Sequence, residues 1–352
     1  LGCRVRVIAK YFDWQPAAEI VARWRAEGIP ITLIPYRKHK RFSLIPDRAA
    51  AEYADPAMRR AVRDAIADFH PDVMWCDYTY LWPLYGEAKR RGIPVITRSI
   101  NVESRHFLDE DGRTVVNYLK FIPKYISELI TARRSDAVFA ITPREEAWYR
   151  SHGAARAATL PLRALPRKTG THTPRETDTL HIFFSGSTYT VSHNRRAAEF
   201  LLRDLAPRMF GAYDRGYVFH ITGAKLPADL EPYIRDNVVS EGFVQNMDAF
   251  LADMDIAVSP SLFGAGMQQK IFEPLARGFP TITHPRGIAG YPFVSGRDFF
   301  AAETAEEYVR ALAALRTIDK RRELSDNCKR KSAVLFSEQA LNAIILNLCA
   351  TL

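Results

Sequence analysis

Hydrophobic and polar positions along the chain follow two alternating patterns. Short apolar runs, such as residues 31–34 and 137–141, are typical of strands buried in a parallel sheet. The stretches between them have apolar residues about every three to four positions, which predicts amphipathic helices. Strands that alternate with helices at this spacing predict an α/β fold built from doubly wound parallel sheets.

The first half of the chain forms one predicted domain, residues 1–162. Its strands are expected at 4–9, 31–34, 71–76, 93–97 and 137–141, and its main helices at 55–69, 82–91, 117–134 and 143–151. Gly2, just before the first strand, resembles the cap that ends a helix. We therefore expect that a strand and a helix precede residue 1, or else that residues 4–11 are themselves the first strand.

Polar residues follow several of these predicted strands. Asp77 ends one of them, and Asn101, Glu103 and His106 lie in the predicted loop after another. Ligands of doubly wound sheets bind at the carboxyl ends of the strands. Glu103 and His106 are therefore candidate catalytic residues, although these residue types are also common in turns and helix caps.

The second half of the chain forms a second predicted domain, residues 180–330. Residues 163–179 contain Pro, Gly and Thr and are expected to link the two domains. Helices are predicted at 194–209, 247–252, 305–315 and 334–348, and strands at 180–184, 218–222, 256–258 and 280–283. Residues 331–352 should pack back on a neighbouring domain. Two doubly wound domains that face each other leave a cleft between them.

Residues 255–290 carry the most suggestive pattern. An apolar strand leads into a loop with Gly264 and Gly266, then into a helix that ends at Gly278. This layout directs backbone N–H groups and the positive end of a helix at an anion, usually a phosphate. Lys270 and Glu273 lie one turn apart on that helix, so one could contact phosphate and the other sugar hydroxyls. The alternative is an ordinary strand–helix–strand unit with two surface charges.

The positive net charge of the chain predicts that its partners are anionic. The 352 residues carry a formal charge of +9, and one predicted loop concentrates basic side chains at Arg37, Lys38, Lys40 and Arg41. Such a loop is either simply solvated or attracted to anionic lipid headgroups. Nucleic acid is not expected as a partner, because no nucleic-acid motif accompanies the charge.

Cysteine spacing and hydropathy indicate which classes of protein are not expected. The four cysteines lack CxxC spacing, which predicts neither a metal site nor a disulfide framework. The chain shows no long uncharged apolar run of membrane-span length and no signal-peptide pattern at its start. We therefore expect a cytoplasmic protein, with peripheral contact to the inner membrane face as an extension of that prediction.

Five segments resemble glycosyltransferase family 4, whose fold is the two-domain GT-B arrangement. They are Phe184-Ser185-Gly186-Ser187 with the helix after it, His220-Ile221-Thr222-Gly223, Glu241-Gly242-Phe243-Val244, residues 260–278, and Asn101-Val102-Glu103-Ser104. The spacing of Lys270 and Glu273 within residues 260–278 is the most specific part of the resemblance.

The resemblance implies a donor site for a nucleoside-diphosphate sugar. Glu273 would bind the ribose hydroxyls, and Lys270 would neutralise the diphosphate. The other implied donor-binding residues are Gly186, Ser187, Phe243, Val244, Gly266, Met267 and Gln268. No cofactor and no metal is implied, because a lysine and a helix end can stabilise the leaving group without a divalent ion.

Three departures from the family pattern affect the catalytic step. Many members carry a glutamate eight residues before the second one, and that position is Ala265 here. The histidine of the family's His-Asn-x-Glu segment is replaced by Ile100. The N-terminal glycine loop of the family is not found. These departures leave the donor site intact and the catalytic residues open.

The resemblance implies a hexosyltransferase that acts on a glycan or lipid-linked acceptor in bacterial polysaccharide or glycoconjugate synthesis, with retention of configuration. One alternative is a nucleotide-sugar 2-epimerase of the same fold, which would need acid/base residues that no motif supplies. The other is a catalytically silent sugar-nucleotide-binding relative, favoured by Ala265 and Ile100.

Overall fold

The computed structural model describes residues 2–38, 47–213, 216–235, 237–262 and 266–352. Lys40, Arg41 and Ala265 therefore lie outside the described residues. The chain forms two units, one made of Leu1–Thr159 with Ile344–Leu352 and the other of Leu160–Ala343.

In the first unit, strands and helices alternate from β1 to α7. In chain order they are β1 (Val7–Tyr11), α1 (Ala17–Ala26), β2 (Ile31–Pro35), α2 (Arg48–Tyr53), α3 (Pro56–Phe69), β3 (Met74–Asp77), α4 (Tyr85–Lys89), β4 (Val95–Arg98), α5 (Glu103–Asp111), α6 (Val115–Arg134), β5 (Ala137–Ala140), α7 (Pro143–Ser151) and β6 (Ala157–Thr159). All described strand pairs here are parallel, in the orders β1-β2 and β3-β4-β5-β6.

Helix α3 shows how the sequence fixes local structure in this unit. Asp55 caps it by accepting a hydrogen bond from the Met58 N–H at 2.8 Å, and Pro56 starts it at a position where proline is well tolerated. Its residues Met58, Val62 and Ile66 recur every four positions and are buried in the core.

In the second unit, six described strands form one parallel sheet. The elements are β7 (Leu180–Thr188), α8 (Ser192–Phe200), α9 (Ala206–Tyr213), β8 (Tyr217–Ala224), β9 (Val238–Gly242), α10 (Met247–Ala252), β10 (Ile256–Ser259), α11 (Gln269–Arg277), β11 (Thr281–Thr283), β12 (Phe300–Ala301), α12 (Ala305–Ala314), α13 (Ile318–Phe336) and α14 (Glu338–Cys349). The strand order is β12-β11-β10-β7-β8-β9, so the chain reverses direction across the sheet between β10 and β7.

Alternate residues of β7 face the two sides of that sheet. Leu180, Ile182 and Phe184 enter the larger core with α8, while Phe183 packs on the other face with Leu251 and Phe279. Both faces are buried, which explains the nearly continuous apolar run in the sequence. The predicted α/β class with two Rossmann-like parallel-sheet domains is confirmed.

Several predicted elements differ from the structure. Glu103 and His106 lie on helix α5, which was predicted as a loop. The predicted helix at 82–91 is a 3-10 turn, Thr79–Leu84, followed by the shorter α4, because Pro83 cannot donate a helical hydrogen bond. Helix α13 was not predicted, and Val334 belongs to it. The following helix starts at Glu338 instead.

The segment predicted as a linker is attached to α11. The N–H groups of Gly170 and His172 donate to the carbonyls of Ala276 and Arg277 at 2.8 and 2.9 Å. The His172 ring also stacks on Phe279, with centroids 3.8 Å apart. These contacts make most of residues 163–179 part of the second unit.

One described helical stretch, Ile318–Cys349, is long and apolar enough to cross a membrane by length and composition. Ser337 has an extended backbone, with ψ 157°, and separates α13 from α14 within this stretch. A single such stretch is weak support for a membrane span.

Candidate functional site

The predicted donor residues collect at the carboxyl edge of the second unit's sheet. Ser187 lies at the end of β7, Gly242 ends β9, and Gly266 to Lys270 follow β10. Since β7 and β10 are the neighbours between which the strand order reverses, Ser187 and the start of α11 lie on either side of the switch point. Open parallel sheets bind their ligands at that position.

Gly186 allows the ends of β7 and β8 to approach closely. A Cβ atom at this position would lie 2.6 Å from the Thr222 carbonyl oxygen and 2.8 Å from the Tyr189 hydroxyl. Tyr189 donates to that same carbonyl at 2.7 Å, which holds the loop after β7 against β8. Only glycine fits here, so Gly186 shapes the edge of the site through the space that it leaves.

Lys270 is held in place by a residue that the sequence did not single out. Its Nζ donates to Asn194 Oδ1 at 3.0 Å, and the buried Asn194 donates in turn to Ser187 Oγ at 3.2 Å and to the Thr188 carbonyl at 3.0 Å. The Lys270 ammonium also lies 5.6 Å from the centre of the Phe184 ring. These contacts connect Lys270 to Ser187 across the switch point.

The start of α11 has backbone N–H groups that can donate to a ligand. Two buried side-chain oxygens, one before α11 and one at the end of β10, have no hydrogen-bond partner among the described residues. The Gln268 side chain does not cap the helix; its Nε2 donates to Ser261 Oγ at 2.6 Å. Among the described residues, the buried Gln268 Oε1 and Ser259 Oγ have no hydrogen-bond partner. Buried polar atoms without a partner are uncommon and suggest a missing ligand or water. The Met267 side chain points inward, where its sulfur accepts from the Leu162 N–H at 3.4 Å.

Glu273 contacts cations rather than open space. Its Oε1 accepts from Arg277 Nε at 3.0 Å, and its Oε2 accepts from Gln269 Nε2 at 2.8 Å. Arg277, buried, also donates to Asp248 at the start of α10. Lys270 and Glu273 therefore have different partners, although they lie one turn apart. A ribose would have to share or replace the hydrogen bonds of Glu273.

The predicted base-binding turn follows β9. Gly242 has a φ of 63°, and the Phe243 side chain after it is 75% exposed, while Val244 is half-buried. A large exposed aromatic ring at the edge of a site can stack on a flat heterocycle. Nearby on β8 and β9, Glu241 Oε1 accepts a hydrogen bond from His220 Nδ1 at 2.7 Å, and His220 Nε2 lies 2.9 Å from His181 Nδ1.

In the first unit, Glu103 and His106 occupy the first turn of α5. Two buried glutamates accept hydrogen bonds from the N–H groups there: Glu145 from Val102 at 3.0 Å and Glu128 from Ser104 at 3.1 Å. Burial raises the pKa of each of these carboxyls to about 7, and the nearby Glu103 carboxylate adds to the effect. His106 Nδ1 is buried without a hydrogen-bond partner among the described residues.

Two Asp-x-Asp triplets occur in the chain, and neither lies at the donor edge. Asp109 and Asp111 end helix α5 in the first unit. Asp253 and Asp255 precede β10, and the buried Asp255 accepts from the His181 N–H at 2.9 Å at the start of β7. Within the described ranges, no group of three or more His, Cys, Asp or Glu side chains could hold a metal ion.

A parallel sheet whose switch point carries a helix N-terminus, a lysine and close-packed glycines is typical of Rossmann-like domains that bind phosphate-bearing ligands. Two family models match the chain, "Glycosyl transferase 4-like domain" over residues 1–163 and "Glycosyl transferases group 1" over residues 179–317. The chain belongs to the family 4-like, group 1 glycosyltransferases. It is a nucleotide-sugar glycosyltransferase.

Solved structures share the fold at low sequence identity. Sucrose-phosphate synthase from Thermosynechococcus elongatus superposes with a TM-score of 0.67 at 13% identity, covering 99% of each chain. HepE from Anabaena, in complex with UDP and glucose, gives a TM-score of 0.66 at 12% identity over 99% of this chain and 100% of its own. TarM gives 0.61 at 15% identity over 82% of this chain and 58% of its own. A comparison with curated protein sequences gave no match.

Proposed function

We propose that the chain transfers a sugar from a nucleoside-diphosphate donor, bound at the β7–β10 switch point, to a glycan or lipid-linked acceptor. The observation that carries this proposal is the chain of contacts from Lys270 through Asn194 to Ser187 beside the start of α11. A cation beside a helix N-terminus supports a diphosphate site at this position. HepE, which shares the fold, was solved with UDP and with UDP-glucose, which supports a nucleotide sugar as the donor.

The diphosphate leaves with increased negative charge when the glycosidic bond breaks. Lys270 and the N–H groups of Gly266, Met267 and Gln268 are placed to stabilise that charge, and preorganised donors of this kind lower the barrier. Glu273 would bind the ribose, and Phe243 and Val244 would hold the base. The acceptor hydroxyl would lose its proton to a group of the first unit, with Glu103 and His106 as the candidates.

The donor site is tested by changing Lys270 and Glu273. A thermal-shift screen with UDP-, GDP-, ADP- and TDP-sugars first identifies a donor, because a ligand of the folded state raises its stability. Lys270→Ala should then weaken donor binding about 10- to 100-fold, as expected for a charge-assisted hydrogen bond. Glu273→Ala should also weaken it, and Glu273→Gln should weaken it less, since the amide keeps one acceptor oxygen.

Lys320→Ala, on helix α13 in the same unit, is the matched control and should bind the donor normally. Melting curves without ligand separate loss of binding from loss of folding, which matters for Glu273 because Arg277 depends on it. If donor affinity is unchanged in both the Lys270 and the Glu273 variants, the site assignment is wrong.

The proposal includes retention of configuration and independence of divalent metal. Both follow from the family resemblance, and the stabilisation of the leaving group by Lys270 supports the second. Transfer should persist after chelation with EDTA, and product NMR should show the anomeric configuration of the donor. Loss of transfer that Mg²⁺ or Mn²⁺ restores would contradict metal independence, and an inverted product would contradict retention.

We further propose a cytoplasmic location with peripheral contact to an anionic membrane face. Arg37 and Lys38 are exposed, as this requires, and Lys40 and Arg41 continue the same basic stretch. Cosedimentation with vesicles should increase when anionic lipid is added to neutral lipid, and Arg37→Glu with Lys38→Glu should reduce it. Equal binding to both kinds of vesicle would contradict the electrostatic contact.

A further inference from the structure

The first unit carries a row of aromatic rings that the proposed donor site does not use. Successive ring centroids are between 4.8 and 5.9 Å apart. In order, the rings of this aromatic row are Trp14, Phe12, Tyr36, Tyr53, Tyr80 and Tyr78. Three of these rings belong to the residue that directly follows a strand: Phe12 after β1, Tyr36 after β2 and Tyr78 after β3.

The aromatic row is a surface feature and not part of a core. Trp14 is 78% exposed, and the other five residues of the row are half-buried. Core aromatics of the same unit, such as Tyr149 and Phe139, are 0% exposed. The ring edges and faces that neighbouring rings leave uncovered offer apolar surface to a ligand.

Polar groups accompany the rings. The Tyr36 hydroxyl donates to Glu52, and the Asp77 and Glu103 carboxylates lie near Tyr78. Burial, together with these carboxylates, raises the pKa of the Tyr78 hydroxyl, so it keeps its proton and can donate at neutral pH. A sugar offers hydroxyls that can add hydrogen bonds to these groups, whereas an apolar lipid chain offers none.

Tyr78 also has a strained backbone. Its φ of 94° with ψ 142° is a conformation that side chains other than glycine rarely adopt. Its N–H is fixed to the Arg98 carbonyl at 2.8 Å, and its ring stacks on Tyr80 with an interplanar angle of 14°. The chain keeps a tyrosine where a glycine would fit more easily, which indicates a use for this ring.

We propose that the aromatic row binds consecutive sugar rings of the acceptor, which is therefore an oligosaccharide or the glycan part of a larger molecule. Pyranose rings have an apolar C–H face that packs on aromatic rings and a rim of hydroxyls that bonds to carboxylates and phenols. The Tyr78 end lies beside the candidate catalytic Glu103, so the reacting sugar belongs there and more distant sugars lie toward Trp14. This inference rests on the proposed transferase function and adds the acceptor class.

The test uses the full chain and hexasaccharides derived from α-glucan, β-glucan, chitin, mannan and galactan, each with its monosaccharide. Calorimetric titration should detect at least one hexasaccharide that binds more tightly than its monosaccharide. Trp14→Ala should weaken that binding about three- to tenfold, as expected for the loss of one aromatic stacking contact. Phe12→Leu, which keeps apolar volume and removes the flat ring, should have a similar effect.

Tyr118→Ala is the matched control, because Tyr118 is an exposed aromatic residue of the same unit outside the row. It should bind the hexasaccharide as the wild type does. The proposal is overturned if no hexasaccharide binds, or if the two row variants bind as tightly as the control. A parallel thermal-shift measurement of nucleotide-sugar binding to the wild type distinguishes failure of this proposal from failure of the proposed transferase function. If the donor binds and no glycan does, only the glycan-binding role of the aromatic row is wrong.

Discussion

The two buried glutamates beneath helix α5 predict a mutational effect whose sign depends on pH. Glu128 is fully buried and holds Ser104 through both carboxylate oxygens, at 3.1 Å to its N–H and 2.5 Å to its Oγ. Glu128→Gln replaces this carboxyl by a neutral amide of the same shape. We expect the variant to be less stable than the wild type at pH 4.5 and more stable at pH 8.

The magnitude follows from the pKa of Glu128. Burial raises that pKa from its ordinary value of 4.5 to about 7. A group whose pKa is raised by folding contributes its stability fully below pH 4.5 and loses it as the pH rises through 7. At about 1.4 kcal/mol per pH unit, the wild type loses about 3 kcal/mol over this range. The glutamine variant avoids that loss but gives up one good acceptor, which costs about 1 kcal/mol at every pH.

Tryptophan fluorescence can follow this unit within the full chain. All five tryptophans, at positions 14, 24, 75, 82 and 148, belong to the first unit. Urea unfolding curves at pH 4.5 and pH 8 should therefore show the free-energy difference between variant and wild type change sign. Glu146→Gln serves as the control without sign change, because Glu146 is a half-buried carboxylate on the neighbouring α7 that pairs with Arg150. Equal destabilisation of Glu128→Gln at both pH values would refute the reasoning, because it would mean that the buried carboxylate is ionised and paired.

Three further predictions concern other parts of the chain. Gly186→Ala should lower the melting temperature and weaken donor binding, since its Cβ would lie 2.6 Å from a carbonyl oxygen, and overpacking of this kind costs about 1–3 kcal/mol; unchanged melting would contradict it. Tyr78→Gly should leave the stability of the first unit within about 1 kcal/mol of the wild type, because relief of the positive φ offsets the lost stacking on Tyr80, and should still reduce transfer to the acceptor, measured by urea unfolding and by initial rates. Burial lowers the pKa of His172 to about 3, so the second unit should lose stability as pH falls below 6.5; His172→Phe should remove that loss in melting curves between pH 4 and pH 7.

The parts of the fold that could be predicted from sequence are those set by local patterns. Apolar runs located β1 to β5 and also β7, β8, β10 and β11, and the helix predicted at 55–69 matches α3, whereas β6 and β12 were not predicted. Helix α13 was missed because it is rich in charged residues and has few apolar positions in helical spacing. Helix α5 was missed because its first N–H groups are satisfied by Glu128 and Glu145, which are distant in sequence.

The candidate site, like the fold, could be predicted from the sequence only in part. Glycines and the spacing of Lys270 and Glu273 indicated a phosphate-facing helix before any contact was known. The partner of each charge is set by packing: Lys270 meets Asn194 from α8, while Glu273 meets Arg277 and Lys168. Asn194 could have been suspected from its place in the helix that follows a glycine loop, but no local pattern gives its hydrogen bond to a residue 76 positions away. The donor-binding and catalytic assignments stay predictions until variants are measured.

The glutamates around helix α5 differ in burial, and this difference helps to choose between the two candidate catalytic residues. Three glutamates, Glu103, Glu128 and Glu145, interact electrostatically around the first turn of α5. Like charges this close disfavour simultaneous ionisation, and burial makes the two interior carboxyls the ones that stay protonated. Glu103 is the most exposed of the three and also lies beside the Tyr78 end of the aromatic row. A carboxylate in that position can accept a proton from an acceptor hydroxyl or stabilise positive charge at the sugar. The two buried glutamates thus supply a physical reason to test Glu103 before His106 as the catalytic group.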